Sequence, residues 1–110
     1  VYKEVLEKVK DYSAAEVCRM TSDVWFEKNK SIKLDWIYID GDHSYSQTKK
    51  DLNNSLKVVK SGGLIIGDDY GWPDAKWQKA GVTKAVDEFI KQNKFKMFRS
   101  GMTQFHITIP

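Results

Sequence analysis

Apolar residues at Tyr2, Val5, Leu6 and Val9 recur every three to four positions between Lys3, Glu4, Glu7, Lys8 and Lys10, so the spacing predicts an amphipathic helix over about residues 1–11. Ala15 to Met20 reads as a short strand. Thr21, Ser22 and Asp23 offer N-cap chemistry for a brief helix that runs to about Lys28 and ends at Asn29-Lys30. Leu34 to Ile39 is aromatic and β-branched and stops at Asp40-Gly41-Asp42, a strand running into a turn. Ser44 and Gln47 form a capping box, and Tyr45, Leu52, Leu56 and Val59 follow at helical intervals until Ser61-Gly62-Gly63 closes the segment as a glycine C-cap. Leu64-Ile65-Ile66 is the continuous apolar run of a strand buried on both faces, and it too ends in carboxylates, Asp68 and Asp69. A loop from Tyr70 to about Ala80 holds Trp72, Pro73 and Trp77. Val82, Ala85, Val86, Phe89 and Ile90 mark a further helix that ends near Asn93. Two β-like runs, Phe95 to Arg99 and Met102 to Ile109, flank Ser100-Gly101 as an antiparallel hairpin. Trp25, Phe26 and Trp36 are assigned to the core or to helix packing.

Strands alternating with helices predict a single α/β domain over residues 1–110: a Rossmann-like three-layer α/β/α sheet, mostly parallel, with an antiparallel C-terminal strand. The 110 residues, 41% hydrophobic and 30% charged, can bury a core without disulfides. Cys18 has no cysteine partner and no Cys/His cluster beside it, so it reads as a buried thiol. Eighteen basic residues against 15 acidic give a net charge of +3, but only Arg19 and Arg99 are arginines and the lysines are scattered. That pattern lacks the clustered basic and aromatic face of a nucleic-acid reader. No apolar run is long enough to span a membrane, and the start does not resemble a signal peptide, which makes a cytoplasmic location the default. The chain opens inside a helical pattern, so a preceding segment is expected.

In an open α/β sheet, ligands bind outside the carboxyl ends of the strands. Two strands deliver carboxylates there: Asp40 and Asp42 with His43 beside them, then Asp68 and Asp69 after a crossover helix that should set the two strands side by side. Carboxylates gathered so closely repel unless a cation or protons compensate, and hard oxygen ligands suit Mg²⁺, Mn²⁺ or Ca²⁺. Asp and Gly are equally ordinary turn residues, and Asp42 or Ser44 can simply cap the next helix. His43 is either a helix-start residue or a base. Trp72 and Trp77 are either a lid over a substrate or a clasp on the following helix. His106 alternates with Phe105 and Ile107 on a strand and is given no role.

The joined blocks Asp35-Trp36-Ile37-Tyr38-Ile39-Asp40-Gly41-Asp42-His43-Ser44-Tyr45, Asp51-Leu52, Lys60 to Tyr70 and Gly81 to Val86 carry a resemblance. The chain resembles class I S-adenosylmethionine-dependent methyltransferases. The nearest branch is the small O-methyltransferases related to macrocin and mycinamicin O-methyltransferases and, more distantly, catechol O-methyltransferase. The resemblance implies Asp40, Asp68 and Asp69 as ligands of a Mg²⁺ that orients the hydroxyl of a small-molecule acceptor, with His43 as general base. It also implies cofactor contacts at Ser22, Asp23, Asp40 and Gly41, and Tyr70, Trp72 and Trp77 as a substrate lid. Methyl transfer to oxygen is an in-line displacement on a deprotonated hydroxyl, which is work for a metal and a base.

The family's glycine-rich turn after the first strand and the acidic residue ending the second have no counterpart, and no G-x-G occurs in the chain. The resemblance therefore implies the C-terminal half to two thirds of such an enzyme, lacking its first two strands and inactive in isolation. A strand at 15–20 would have no neighbour to join, so the chain packs differently or pairs with a second copy as a homodimer through the exposed sheet edge. The alternative to catalysis is a non-catalytic α/β module kept for binding or dimerisation.

Overall fold

The computed structural model describes residues 1–71 and 80–110. The helices are α1 (Tyr2–Val9), α2 (Ser22–Lys28), α3 (Tyr45–Val58) and α4 (Ala80–Asn93); the strands are β1 (Leu34–Ile39), β2 (Val59–Gly67), β3 (Met97–Ser100) and β4 (Gln104–Thr108). The strands form one sheet in the order β1-β2-β4-β3. β1 and β2 are parallel, with Ile37 opposite Ile65 and Ile39 opposite Gly67, and β4 runs antiparallel to both β2 and β3. The mixed Rossmann-like sheet read from the sequence is therefore present, including the C-terminal hairpin.

Its core lies on one face. Ile65, Phe105 and Ile107 from the sheet meet Leu52 of α3 and Val82, Ala85, Val86 and Phe89 of α4, all buried. Strand alternation sends the next residues the other way. Trp36 pairs with Leu64, and Tyr38, Ile66, His106 and Phe98 form a row across all four strands. No described helix packs on this second face, where Trp36 is 59% and Phe98 52% exposed. Trp36 is thus not a core residue, and the third layer of the expected sandwich is not formed by the described residues. Phe26 is buried as expected, with the Trp25 ring set edge-on to it at 5.3 Å.

The strand expected at 15–20 is absent; those residues are irregular, and Cys18 is exposed rather than buried. An isolated extended segment leaves its backbone groups to water, and among the described residues nothing pairs with the outer edge of β1. The glycine C-cap is also corrected. α3 ends at Val58, and Ser61-Gly62-Gly63 lies inside β2, where Gly62 N donates to Ile109 O and Ile109 N donates to Gly63 O. The register jumps from Leu34 opposite Val59 to Trp36 opposite Leu64, so the extra β2 residues bulge. Gly63 is required there because a Cβ would lie 2.6 Å from the Asp35 carbonyl oxygen.

Candidate active-site cleft

The turn after β1 is built by its own side chains. Asp42 accepts a hydrogen bond from Ser44 N at 2.7 Å, and Ser44 Oγ accepts from Gln47 N at 3.3 Å, which starts α3. Both hydrogen bonds from Ser44, with His43 nearby, hold the Asp42 carboxyl below the usual carboxylate range. This is half of the expected capping box, since the Gln47 side chain points elsewhere. Gly81, in the first turn of α4, sits against the same turn: a Cβ there would be 2.6 Å from Tyr45 N and 3.1 Å from the His43 carbonyl oxygen. His43 is thereby fixed between β1, α3 and α4.

The end of β2 comes up beside it. Asp69 is buried and adopts the left-handed region at φ 70°, a conformation Asp tolerates better than most residues. Its Oδ2 is 2.8 Å from His43 Nδ1. Asp68 accepts from Asp69 N at 2.7 Å and from Thr103 Oγ1 at 2.5 Å. Asp40 and Asp68 border one small cleft with His43. Yet among the described residues no group of three or more His, Cys, Asp or Glu side chains stands close enough to hold a metal ion. Asp69 is turned onto histidine and Asp68 onto threonine, so the three aspartates read as Mg²⁺ ligands do not, as arranged, fit a shared divalent cation.

Tyr70 differs from its expected role as part of a lid. Its hydroxyl donates to Asp87 Oδ1 at 2.6 Å, its backbone N donates to Thr103 O, and its ring lies against Phe105 and under the Arg99 guanidinium. Burial, then the Asp87 hydrogen bond, push its phenol up to about 12. A side chain held by so many partners is an anchor. Trp72 and Trp77, the other two residues expected in a lid, lie outside the described residues.

Beside this cluster, outside the carboxyl end of β1, opens a cavity of about 510 Å³. Phe26, Ile37 and Ile39 supply its apolar side, while Ser22, Asp23, Asp40, Gly41, Asp42 and Asp51 bring polar groups. All four residues expected at the cofactor, Ser22, Asp23, Asp40 and Gly41, therefore line one space. No lysine, arginine or histidine is among its described lining residues. The sequence reading missed Gln47 and Asp51. Gln47 Nε2 donates to Asp51 Oδ1 and Asp23 Oδ1, both at 3.0 Å, and Ser22 Oγ donates to Asp51 Oδ1 at 2.8 Å. Their available signal was spacing: two polar residues one turn apart, on the side of α3 that also carries buried Leu52 and Ser55.

A family model described as a methyltransferase domain matches residues 2–70. The chain belongs to this methyltransferase family. A protein of Acanthamoeba polyphaga mimivirus, uncharacterized protein R132, is 39% identical over 57 residues, covering 52% of this chain and 24% of the relative. Among solved structures, a Staphylococcus aureus protein assigned as a caffeoyl-CoA O-methyltransferase superposes with a TM-score of 0.71 at 18% identity, covering 97% of this chain and 56% of that one. The O-methyltransferase NovP gives 0.70 at 23% identity, covering 97% and 44%. At these identities the likeness is one of fold. This methyltransferase chain spans about half the length of the solved structures it matches.

Proposed function

We propose that this methyltransferase chain is the catalytic side of an S-adenosylmethionine-dependent O-methyltransferase domain acting on a small-molecule or sugar hydroxyl. The observation that carries the reading is the cleft beyond β1, apolar on one side and walled by carboxylates with no cation among its described lining residues. A phosphate-bearing dinucleotide asks for the opposite lining, amide nests and positive charge. A purine nucleoside with a positively charged sulfur suits apolar residues at the ring and carboxylates around it. When bound, S-adenosylmethionine supplies a methyl group activated on sulfonium sulfur. His43 stands in the turn after β1 with Nδ1 engaged by Asp69 from the end of β2, which orients the ring and leaves Nε2 to take the acceptor's hydroxyl proton. Titration of the full-length protein with S-adenosylhomocysteine and, separately, with NADH tests the reading. Saturable binding of the first alone is expected; no binding of it, or equal binding of NADH, overturns the proposal.

A second reading, a non-catalytic binding or dimerisation module, is favoured by the open sheet face bearing Trp36, Tyr38 and Phe98 and by the edge of β1, which is unpaired among the described residues. A homodimeric mass by light scattering together with no S-adenosylhomocysteine binding would put it ahead.

A further inference from the structure

We infer that Asp51 is a positioning residue that sets which nucleobase edge the cleft accepts, selecting a purine that carries an exocyclic amine over one that carries a carbonyl. The inference rests on the cofactor reading above and extends it to specificity. Asp51 is 5% exposed, and its Oδ1 takes the hydroxyl proton of Ser22 at 2.8 Å and an amide proton of Gln47 at 3.0 Å. A serine hydroxyl has one proton and two lone pairs. Here the proton goes to Asp51, and one lone pair faces Gln47 Nε2 at 3.2 Å. What Ser22 has left for the cleft is a lone pair.

The neighbouring groups have the same polarity. Gln47 Nε2 has two hydrogens for three acceptors, Ser22, Asp23 and Asp51, so its donors are spent within the wall. Asp23 contributes a carboxylate, which only accepts. This wall of the cavity therefore presents acceptors to a ring lying along Phe26, Ile37 and Ile39. An exocyclic amine donates to such a wall, whereas a carbonyl oxygen meets lone pairs and loses its own hydrogen bond to water. Sites built on buried polar groups reject the mismatched analogue strongly. A buried carboxylate held by neutral donors is costly as plain structure. Its distinguishing property is that it cannot donate, so it keeps Ser22 from turning its proton into the cleft.

The test measures affinities of S-adenosylhomocysteine and of S-inosylhomocysteine, which bears a carbonyl in place of the amine, for the full-length protein and two variants. The parent should prefer the adenosyl compound by about tenfold or more, the worth of roughly one hydrogen bond. Asp51→Asn replaces one carboxylate oxygen with a donor that can point at Ser22 Oγ and release the serine proton, so the preference should fall to about threefold or less. Ser22→Ala should lower it in the same way while leaving the carboxylate in place, which covers the case of an Asp51 variant that does not fold. A merely structural role would weaken both ligands together and keep their ratio, and that outcome overturns the inference. So does a parent chain that binds both compounds equally. Binding of neither compound overturns the cofactor reading itself.

Discussion

Replacing Gly67 with alanine should destabilise the chain through a single collision. A Cβ at this position would lie 2.4 Å from Phe105 Cζ, 2.6 Å from Cε1 and 3.0 Å from the Ile39 carbonyl oxygen, where ordinary contact begins at 3.4 Å. The shortfall against the ring is about an ångström. Phe105 is 1% exposed and packed among Ile65, Ile107 and the helices, and Ile39 O belongs to strand backbone, so neither neighbour has free space to retreat into. Overpacking of this kind costs about 1–3 kcal/mol. At roughly 4–8 °C per kcal/mol for a small domain, Tm should fall by about 4–24 °C. A double-mutant cycle with Phe105→Leu isolates the cause, since leucine lacks the two ring atoms that collide. The paired variant should be less destabilised than the sum of the single ones by about 1–2 kcal/mol in urea unfolding. Additivity within about 0.5 kcal/mol would refute the packing argument. The position bears on the candidate site because Asp68 and Asp69 follow it directly, and any shift of β2 carries Asp69 away from His43.

The raised phenol of Tyr70, about 12 against an ordinary 10.0, stabilises the fold fully below pH 10 and ceases to do so as pH rises through 12, because the folded state favours the protonated form. Ultraviolet titration should show one of the five tyrosines ionising near pH 12, and Asp87→Asn should lower that value; ionisation of this phenol at pH 10 would contradict the assignment. In the full-length protein, His43→Gln should lower methyl transfer by about 10²–10⁴-fold while leaving S-adenosylhomocysteine affinity unchanged. Asp69→Asn should fall between that variant and the parent, and a matching loss of cofactor affinity in either would make the pair a binding element rather than a base and its support.

Periodicity alone determined most of the secondary structure, because the patterns at 1–11, 44 to about 60 and 82–93 and the apolar runs at 34–39 and 64–66 follow from which side each residue buries, although the second of these helices stops at Val58. The sequence also placed Asp40, His43, Asp68 and Asp69 at neighbouring strand ends, since a parallel pair joined by a helix permits little else. It misplaced what depends on partners. Residues 15–20 have strand composition and no described strand to join, and Trp36 has a core residue's chemistry on a face that no described helix covers. Gly62-Gly63 reads as a helix stop, yet Ile109, distant in the chain, claims its backbone. The same reason divides the site. Residue type identified four acidic groups and a histidine; Asp42 is held locally by Ser44, but partners far away in sequence set the direction of two others, Thr103 for Asp68 and His43 for Asp69, as Ser22 does for Asp51, which residue type did not reveal. Local sequence determines which groups reach the rim, and only tertiary contacts decide whether carboxylates meet a cation, a histidine or a hydroxyl, because that choice is a competition among partners that the chain brings together only on folding.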